Sequence, residues 1–483
     1  MSDRMCRKGL CRPAGILLTA IVIALTVAAV GASAGSARGL RTGFTDNAIF
    51  DPSAQGELHR DRWLDRAKSA RAGIIRISVD WRNVTRNKPK HPANPNDPAY
   101  GFVRLDESIR AAKSHGLDVV LTVYRAPDWA EGRHPPKRVQ PGAWKPNPRA
   151  YGKFGQALAR RYSGHLHGLP RVHYFEVWTE PNLTQFLAPQ WKGKRAFAPR
   201  RYRALLNHFY AGVHKAQRKA TVIGGSTSPF GDSRKHQLYP THPRMHPMVF
   251  LRTVLCLNGK LKRTKNCKRE PHLDAVSAHP INFANGPHYK PYSNNDLQVA
   301  NFSRVGRIVR AARRANTVRP KGGKPLWVTE EGMLSDPPNP KGVPVMKHAR
   351  WLEESLYLLW KQGASVVLNL NIRDTPYDPN RAPGGQWNTG IFFYNGREKP
   401  AFKSFRFPFV THRQSKGKVK AWGKAPVGGK LKIQEKSQGE WRTRKRVMVR
   451  GGKVFQSTFH LRGRATLRAQ VRKTTSIPWP QSG

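Results

Sequence analysis

Acidic side chains are scarce in this chain. Against 86 Lys and Arg there are 29 Asp and Glu in 483 residues, a formal net charge of +57. Such a surface attracts nucleic acid, anionic lipid headgroups and acidic glycans alike, so charge alone selects no partner. The basic residues are spread along the whole chain, which favours a general compositional bias and a solvated basic face over one designed patch. Cysteine is scarcer still, with four in all. Cys6 and Cys11 fall in a basic N-terminal stretch, which leaves Cys256 and Cys267 around the loop CLNGKLKRTKNC. An even pair in an exported chain points to a disulfide. No His or third Cys stands at metal-ligand spacing, and His246, His279 and His348 are isolated in sequence. Neither a metal nor an organic cofactor is expected. Long apolar runs are absent except at residues 16–30. That run follows Arg4, Arg7, Lys8 and Arg12 and precedes the small residues Ala32, Ser33 and Ala34, the pattern of a signal peptide over residues 1–37. An uncleaved anchor is the alternative. The protein is therefore expected to be secreted or associated with the cell envelope, and export argues against nucleic acid as a partner.

From residue 40 the chain alternates strand-like and helix-like segments. Strands are expected at 43–45, 74–79, 119–123, 172–178, 221–223, 273–278, 326–329 and 365–370, with helices between most of them. Such alternation implies a parallel sheet, and eight units over this length fit a (β/α)8 barrel spanning residues 38–409. No glycine fingerprint for a dinucleotide follows the first strand, and the triplet Gly224-Gly225-Ser226 reads only as a glycine-rich exit from the fifth. Long Pro-, Gly- and Asn-rich loops at 87–100, 131–149, 230–246 and 375–390 suggest a walled cleft. Near residue 410 helical periodicity stops. Short strand-like runs separated by turns predict a small, basic all-β sandwich over 410–473, followed by a loose tail at 474–483.

The chemistry is carried by two of the few acids. Glu180 closes the apolar run RVHYFEVW and Glu330 closes LWVT, each at the end of an expected strand. Two carboxyls projected into one cleft suit glycosidic bond cleavage, where one donates a proton and the other stays ionised. At these residues the chain resembles the clan A glycoside hydrolases, most closely the family 39 or family 5 type of retaining β-glycosidase, over residues 40–408. Thr179-Glu180-Pro181 matches the clan's Asn-Glu-Pro motif, and Thr329-Glu330-Glu331-Gly332 matches its Thr-Glu-x-Gly motif. The resemblance implies a (β/α)8 barrel, Glu180 as acid/base and Glu330, rather than Glu331, as nucleophile. It also implies Arg76 beside the nucleophile and His279 as a partner for carboxylates or a sugar hydroxyl. Ile281 stands where the clan has an aromatic residue, so Tyr289 or Tyr292 is a substitute source of a phenol. Thr179 departs from the usual Asn, which contacts the hydroxyl next to the reacting carbon.

Trp81, Tyr124, Trp129 and Trp387, at or beyond strand ends, are candidate sugar platforms, and a poly- or oligosaccharide is the expected substrate. An anionic cell-envelope surface is a further candidate partner, and a monomer is expected. The alternatives are a weak or silent barrel that binds an anionic glycan, and a transglycosidase using the same pair of glutamates.

Overall fold

The computed structural model describes residues 39–483 apart from 53–56, 266, 381–384 and 416, so the expected signal segment 1–37 lies outside the described residues. No helix among the described residues is long and apolar enough to cross a membrane. Eight strands, β1 (Arg41–Thr45), β2 (Ile74–Asp80), β3 (Asp118–Tyr124), β4 (Tyr174–Val177), β5 (Thr221–Thr227), β6 (Ala275–Ala278), β7 (Leu326–Glu331) and β8 (Ala364–Leu370), form a closed barrel. All neighbours run parallel, and β1 closes the ring by pairing Arg41 with Val366 and Thr45 with Leu370. A helix follows every strand: α1 (Glu57–Ser69), α2 (Val103–Ser114), α3 (Pro148–Arg161), α4 (Ala198–Ala216), α5 (Pro247–Val254), α6 (Ser303–Arg314), α7 (Val345–Lys361) and α8 (Pro400–Arg406). This is the expected (β/α)8 barrel. The helices α5 and α8 were not anticipated.

Strand periodicity sets the layers inside the barrel. Inward positions alternate along each strand. At the N-terminal end they are apolar: Ile74, Val120, Ile223, Ala275, Trp327, Val366 and Leu368 form one buried cluster. Two residues further along, β2, β3, β4, β6 and β7 place Arg76, Thr122, Glu176, Ser277 and Thr329 in a polar layer above it. The outward faces are buried too, against helices, which is why these strands lack a clean apolar–polar alternation in sequence.

Two boundaries differ instructively from expectation. Strand β4 stops at Val177 because Trp178 (φ 66°) and Glu180 (φ 39°) leave the strand in left-handed conformations. Strand β5 runs on to Thr227 and absorbs the glycine triplet. Gly225 sits there at φ 116°, and a Cβ on it would meet the Ser277 carbonyl oxygen at 2.3 Å. Only glycine lets β5 lie that close to β6. Its N–H donates to the Tyr202 hydroxyl at 2.7 Å, and that hydroxyl donates to the Val177 carbonyl at 2.9 Å. Helix α4 thus pins the ends of β4 and β5 together.

The C-terminal strands β9 (Phe409–Ser415), β10 (Lys418–Lys424), β11 (Gly429–Ser437), β12 (Glu440–Val449), β13 (Val454–His460) and β14 (Ala465–Val471) make a sandwich-like unit of two sheets, β9–β10–β13 and β12–β11–β14. Its buried Trp422 ring lies 5.4 Å from Tyr357 and 5.6 Å from Trp360 of α7. Trp422 is therefore a packing residue. The tail is not loose: β15 (Trp479–Gln481) pairs with β14, and the Trp479 indole donates to the Thr411 carbonyl. Alternate apolar residues, Ile477, Trp479 and the preceding β14 face, give it enough burial to stay in place.

Candidate active site

Glu180 and Glu330 leave the C-terminal ends of β4 and β7 and line one cavity of about 410 Å³ at the barrel mouth. Thr179, Arg76, Tyr124 and Trp387 line the same cavity. One carboxylate oxygen of Glu180, one of Glu330 and a ring nitrogen of His279 all lie within 4.8 Å of one another. Backbone geometry brings the first acid there. The left-handed turn at Trp178 and Glu180 is held by the Glu180 N–H donating to the Ser226 carbonyl at 2.8 Å. Ser226 is itself left-handed, at φ 47°. Conformations of this kind cost on the order of 1 kcal/mol each and persist only where neighbours enforce them. The buried Trp178 does so, with its indole donating to the Phe186 carbonyl.

A residue that the sequence did not single out organises the floor. Glu176 is fully buried in the middle of β4. Its Oε1 accepts from Ser277 Oγ at 2.6 Å and Thr329 Oγ1 at 2.8 Å, and its Oε2 accepts from Thr122 Oγ1 at 2.7 Å. Arg76 Nε lies 3.0 Å from the same Oε2. Burial pushes the Glu176 carboxyl up, but Arg76 foremost, then His279 and the hydroxyl donors, outweigh it and hold the pKa below the ordinary value. Arg76 bridges this carboxylate to Glu330, on which its Nη1 donates. Its Nη2 donates to Thr179 Oγ1 at 3.2 Å. The guanidinium, a cation that cannot lose its proton, is thus fixed between two acids and pairs with both. The only cue in the sequence was an acid interrupting an apolar strand at the inward-facing parity.

His279 is fully buried and joins the two acids. The Thr329 hydroxyl is already committed as donor to Glu176. His279 Nε2 lies 3.1 Å from both Thr329 Oγ1 and Ser226 Oγ, and it can bond the Thr hydroxyl only as a donor. Its Nδ1 faces Glu180 Oε1 at 3.2 Å. One proton bridges this contact, carried either by the imidazole or by the carboxyl. Burial raises the Glu180 pKa; His279 opposes the rise and Glu330 reinforces it. The His279 pKa is also raised, because the Glu330 and Glu180 charges outweigh burial.

The same three side chains have the composition of a small metal site, a grouping that linear spacing did not reveal. The Arg76 guanidinium on Glu330 works against a divalent cation there, since it places a fixed positive charge against one of the three ligands.

The other expected site residues divide. Tyr124 and Trp387 border the cavity, joined by Phe186, Phe230 and Phe283, three aromatics the sequence reading missed. The Trp387 and Phe283 rings are 6.0 Å apart and near parallel. Trp81 does not reach the cavity. It is 0% exposed, stacked on Phe154 at 5.5 Å, because it begins a short helix that turns its ring behind β2. Trp129 is edge-on to Trp81 and donates to the Thr85 carbonyl, away from the acids. Neither Tyr289 nor Tyr292 borders the cavity, and Tyr292 projects fully into solvent. Ile281 and Phe283 occupy that wall instead. The Cα atoms of Cys256 and Cys267 are 5.6 Å apart, within the reach of a disulfide.

No family model matches the chain, and no curated protein matches it in sequence. Solved structures do match in fold. A family 39 glycoside hydrolase from the gut symbiont Bacteroides cellulosilyticus WH2 superposes with a TM-score of 0.55 at 15% identity, over 88% of this chain and 81% of its own. A glucosidase from Croceicoccus marinus gives a TM-score of 0.50 at 12% identity, over 89% of this chain and 94% of its own. The chain therefore shares its fold over most of its length with these glycoside hydrolases, and it carries a clustered carboxylate–histidine site at its own barrel mouth.

Proposed function

We propose that this protein is a retaining β-glycosidase acting on a poly- or oligosaccharide. One observation carries the reading: carboxylate oxygens of Glu180 and Glu330 approach within 4.8 Å across a cavity of sugar-binding size. A spacing of about 5 Å suits double displacement, whereas inversion needs about 6.5–9.5 Å to admit water between the acids. In this mechanism the carboxylate of Glu330, paired with Arg76, attacks the anomeric carbon. Glu180 gives its proton to the departing oxygen, which leaves a glycosyl-enzyme ester on Glu330. Glu180, now a base, takes a proton from water as that water attacks the same carbon and frees Glu330. His279 holds or releases the proton bridging it to Glu180, and so sets when Glu180 acts as acid. Trp387 and Phe283 offer near-parallel apolar faces for sugar rings. Proton NMR of the first-formed product tests the stereochemistry: the same anomer as the substrate supports double displacement, and the opposite anomer overturns it.

Glycan binding without turnover is the second reading. It draws on Thr179, whose hydroxyl already receives Arg76 and which supplies no amide to the sugar hydroxyl next to the reacting carbon. We further propose that residues 1–37 direct export and that Cys256 and Cys267 form a disulfide in the oxidising compartment. Thiol labelling of the secreted protein with and without reductant tests that pairing: label entering only after reduction supports it.

A further inference from the structure

A second cavity, of about 1000 Å³, lies on the outer wall of the barrel between α4 and the segment that carries Cys267, and it shares no residue with the catalytic cavity. Its floor is held by directional bonds. Asn207 Nδ2 donates to the Glu270 carbonyl at 2.8 Å, its Oδ1 accepts from the His272 N–H at 2.8 Å, and Arg203 donates to the Thr253 and Val254 carbonyls. Among the described residues Glu270 is the only acid lining the cavity, and its carboxylate is already bound by Arg263 at 2.9 Å and Arg319 at 2.8 Å. The rim is different. Arg195 and Arg200 on one side and Lys265, Lys268 and Arg269 on the other are all exposed. None of the five has a carboxylate within 4.0 Å among the described residues. The resulting field reaches His208 in the cavity wall, whose pKa is lowered by burial and by Arg149 and Arg269.

We propose that this groove binds an acidic polysaccharide, with the rim cations spaced along successive carboxylate or sulfate groups. The groove is too large for a single small ion and suits several residues of a chain. Arginine-rich rims favour planar oxyanions through paired N–H donors. Among the described lining residues there is no Trp or Phe to supply the base stacking on which single-stranded nucleic acid relies. Tyr210 is spoken for, its ring 4.1 Å from that of His214 and its hydroxyl directed to Asp274. The choice of a polysaccharide rests on the glycosidase reading; the anion site does not. A polymer held here could also present a distant part of itself to the barrel mouth.

The test compares two triple variants of the whole secreted chain that remove equal charge. One is Lys265→Ala/Lys268→Ala/Arg269→Ala at the rim. The other is Lys432→Ala/Lys445→Ala/Arg446→Ala on exposed positions of the C-terminal sheet. Affinity for polygalacturonate, dextran sulfate and neutral dextran is measured against salt, with thermal unfolding to verify folding. The rim variant is expected to lose about tenfold or more in affinity for the two acidic polymers and to flatten the salt dependence. The sheet variant is expected to stay within about twofold. Equal losses in both variants, or none in the rim variant, would overturn the proposal. So would tighter binding of single-stranded DNA than of either acidic polymer through the same rim. Hydrolysis of small aryl glycosides should be unchanged in both variants. If the wild-type chain hydrolyses nothing, the binding comparison still decides the groove.

Discussion

Replacing Glu176 by Gln keeps shape and removes one charge from the centre of the barrel floor. Two consequences can be worked out from the contacts. The amide oxygen must face Arg76, because a guanidinium only donates. The amide nitrogen then meets Ser277 and Thr329, whose hydroxyls both donate to Glu176 Oε1 and must turn round to accept. Thr329 in turning frees its own proton, so its contact with His279 Nε2 no longer requires the imidazole to donate. Breaking a buried ion pair from one side costs roughly 3–5 kcal/mol, and the lower end applies because Arg76 keeps Glu330. Urea denaturation at neutral pH should therefore show a loss of about 3 kcal/mol.

The pH dependence has a definite sign. The Glu176 pKa is lower in the folded state than its ordinary value of 4.5, so its contribution is complete above that value and fades as pH falls through the folded pKa. The gap between wild type and variant should narrow in acid. In catalysis, the less compensated Arg76 stabilises ionised Glu180 and lowers its pKa. The basic limb of kcat/KM should then move to lower pH by about one unit. Unchanged stability together with an unmoved basic limb would refute the assignment of Glu176 as the counter-charge that positions Arg76.

Further outcomes follow from single residues. Lys424 is buried with its Nζ 3.0 Å from Thr42 Oγ1, and burial, then Arg41 and Arg71, lower its pKa from 10.5 to about 8. Between those values the unfolded chain holds a proton that the folded chain lacks, so wild-type stability should rise with pH across that window. Lys424→Met should be more stable at pH 7 by about 2 kcal/mol once the lost hydrogen bond is subtracted; in chemical denaturation the advantage should vanish at about pH 9.5 and reverse by about 1 kcal/mol at about pH 10.5. Thr179→Asn restores an amide beside the acid and should raise kcat/KM by about tenfold, one good hydrogen bond in the transition state; a fall would show that Arg76 needs the Thr hydroxyl. Trp387→Ala should raise KM about fivefold, while Trp129→Ala, behind the site, should leave KM unchanged and show its effect in the melting temperature.

The barrel and both acids at its mouth were legible in the sequence for a physical reason. Eight apolar runs at regular spacing have few ways to bury both faces, and an acid directly after such a run is lifted to the mouth. The supporting layer was less visible. Glu176 lies inside a run that otherwise reads as core, and its role depends on hydroxyls from β3, β6 and β7 that meet it only when the barrel closes. Trp81 misled because an aromatic at a strand end can turn either to the cleft or behind the strand, and the short helix after β2 decides which. Phe230 and Phe283 were hidden in loops, where periodicity carries no signal. The tail at 474–483, expected to be loose, is instead anchored by burial of Ile477 and Trp479, whose partners are distant in sequence.

The central claim is that Glu180 and Glu330 together cleave a glycosidic bond. It is tested most directly by hydrolysis of a panel of aryl and polymeric β-glycosides by the wild-type protein beside Glu180→Gln and Glu330→Gln. The account predicts turnover of at least one substrate, loss of at least about a thousandfold with Glu330→Gln, and a smaller loss with Glu180→Gln on aryl substrates whose leaving groups need little protonation. Turnover that survives both substitutions, or retained glycan binding with no turnover in any form, would contradict it.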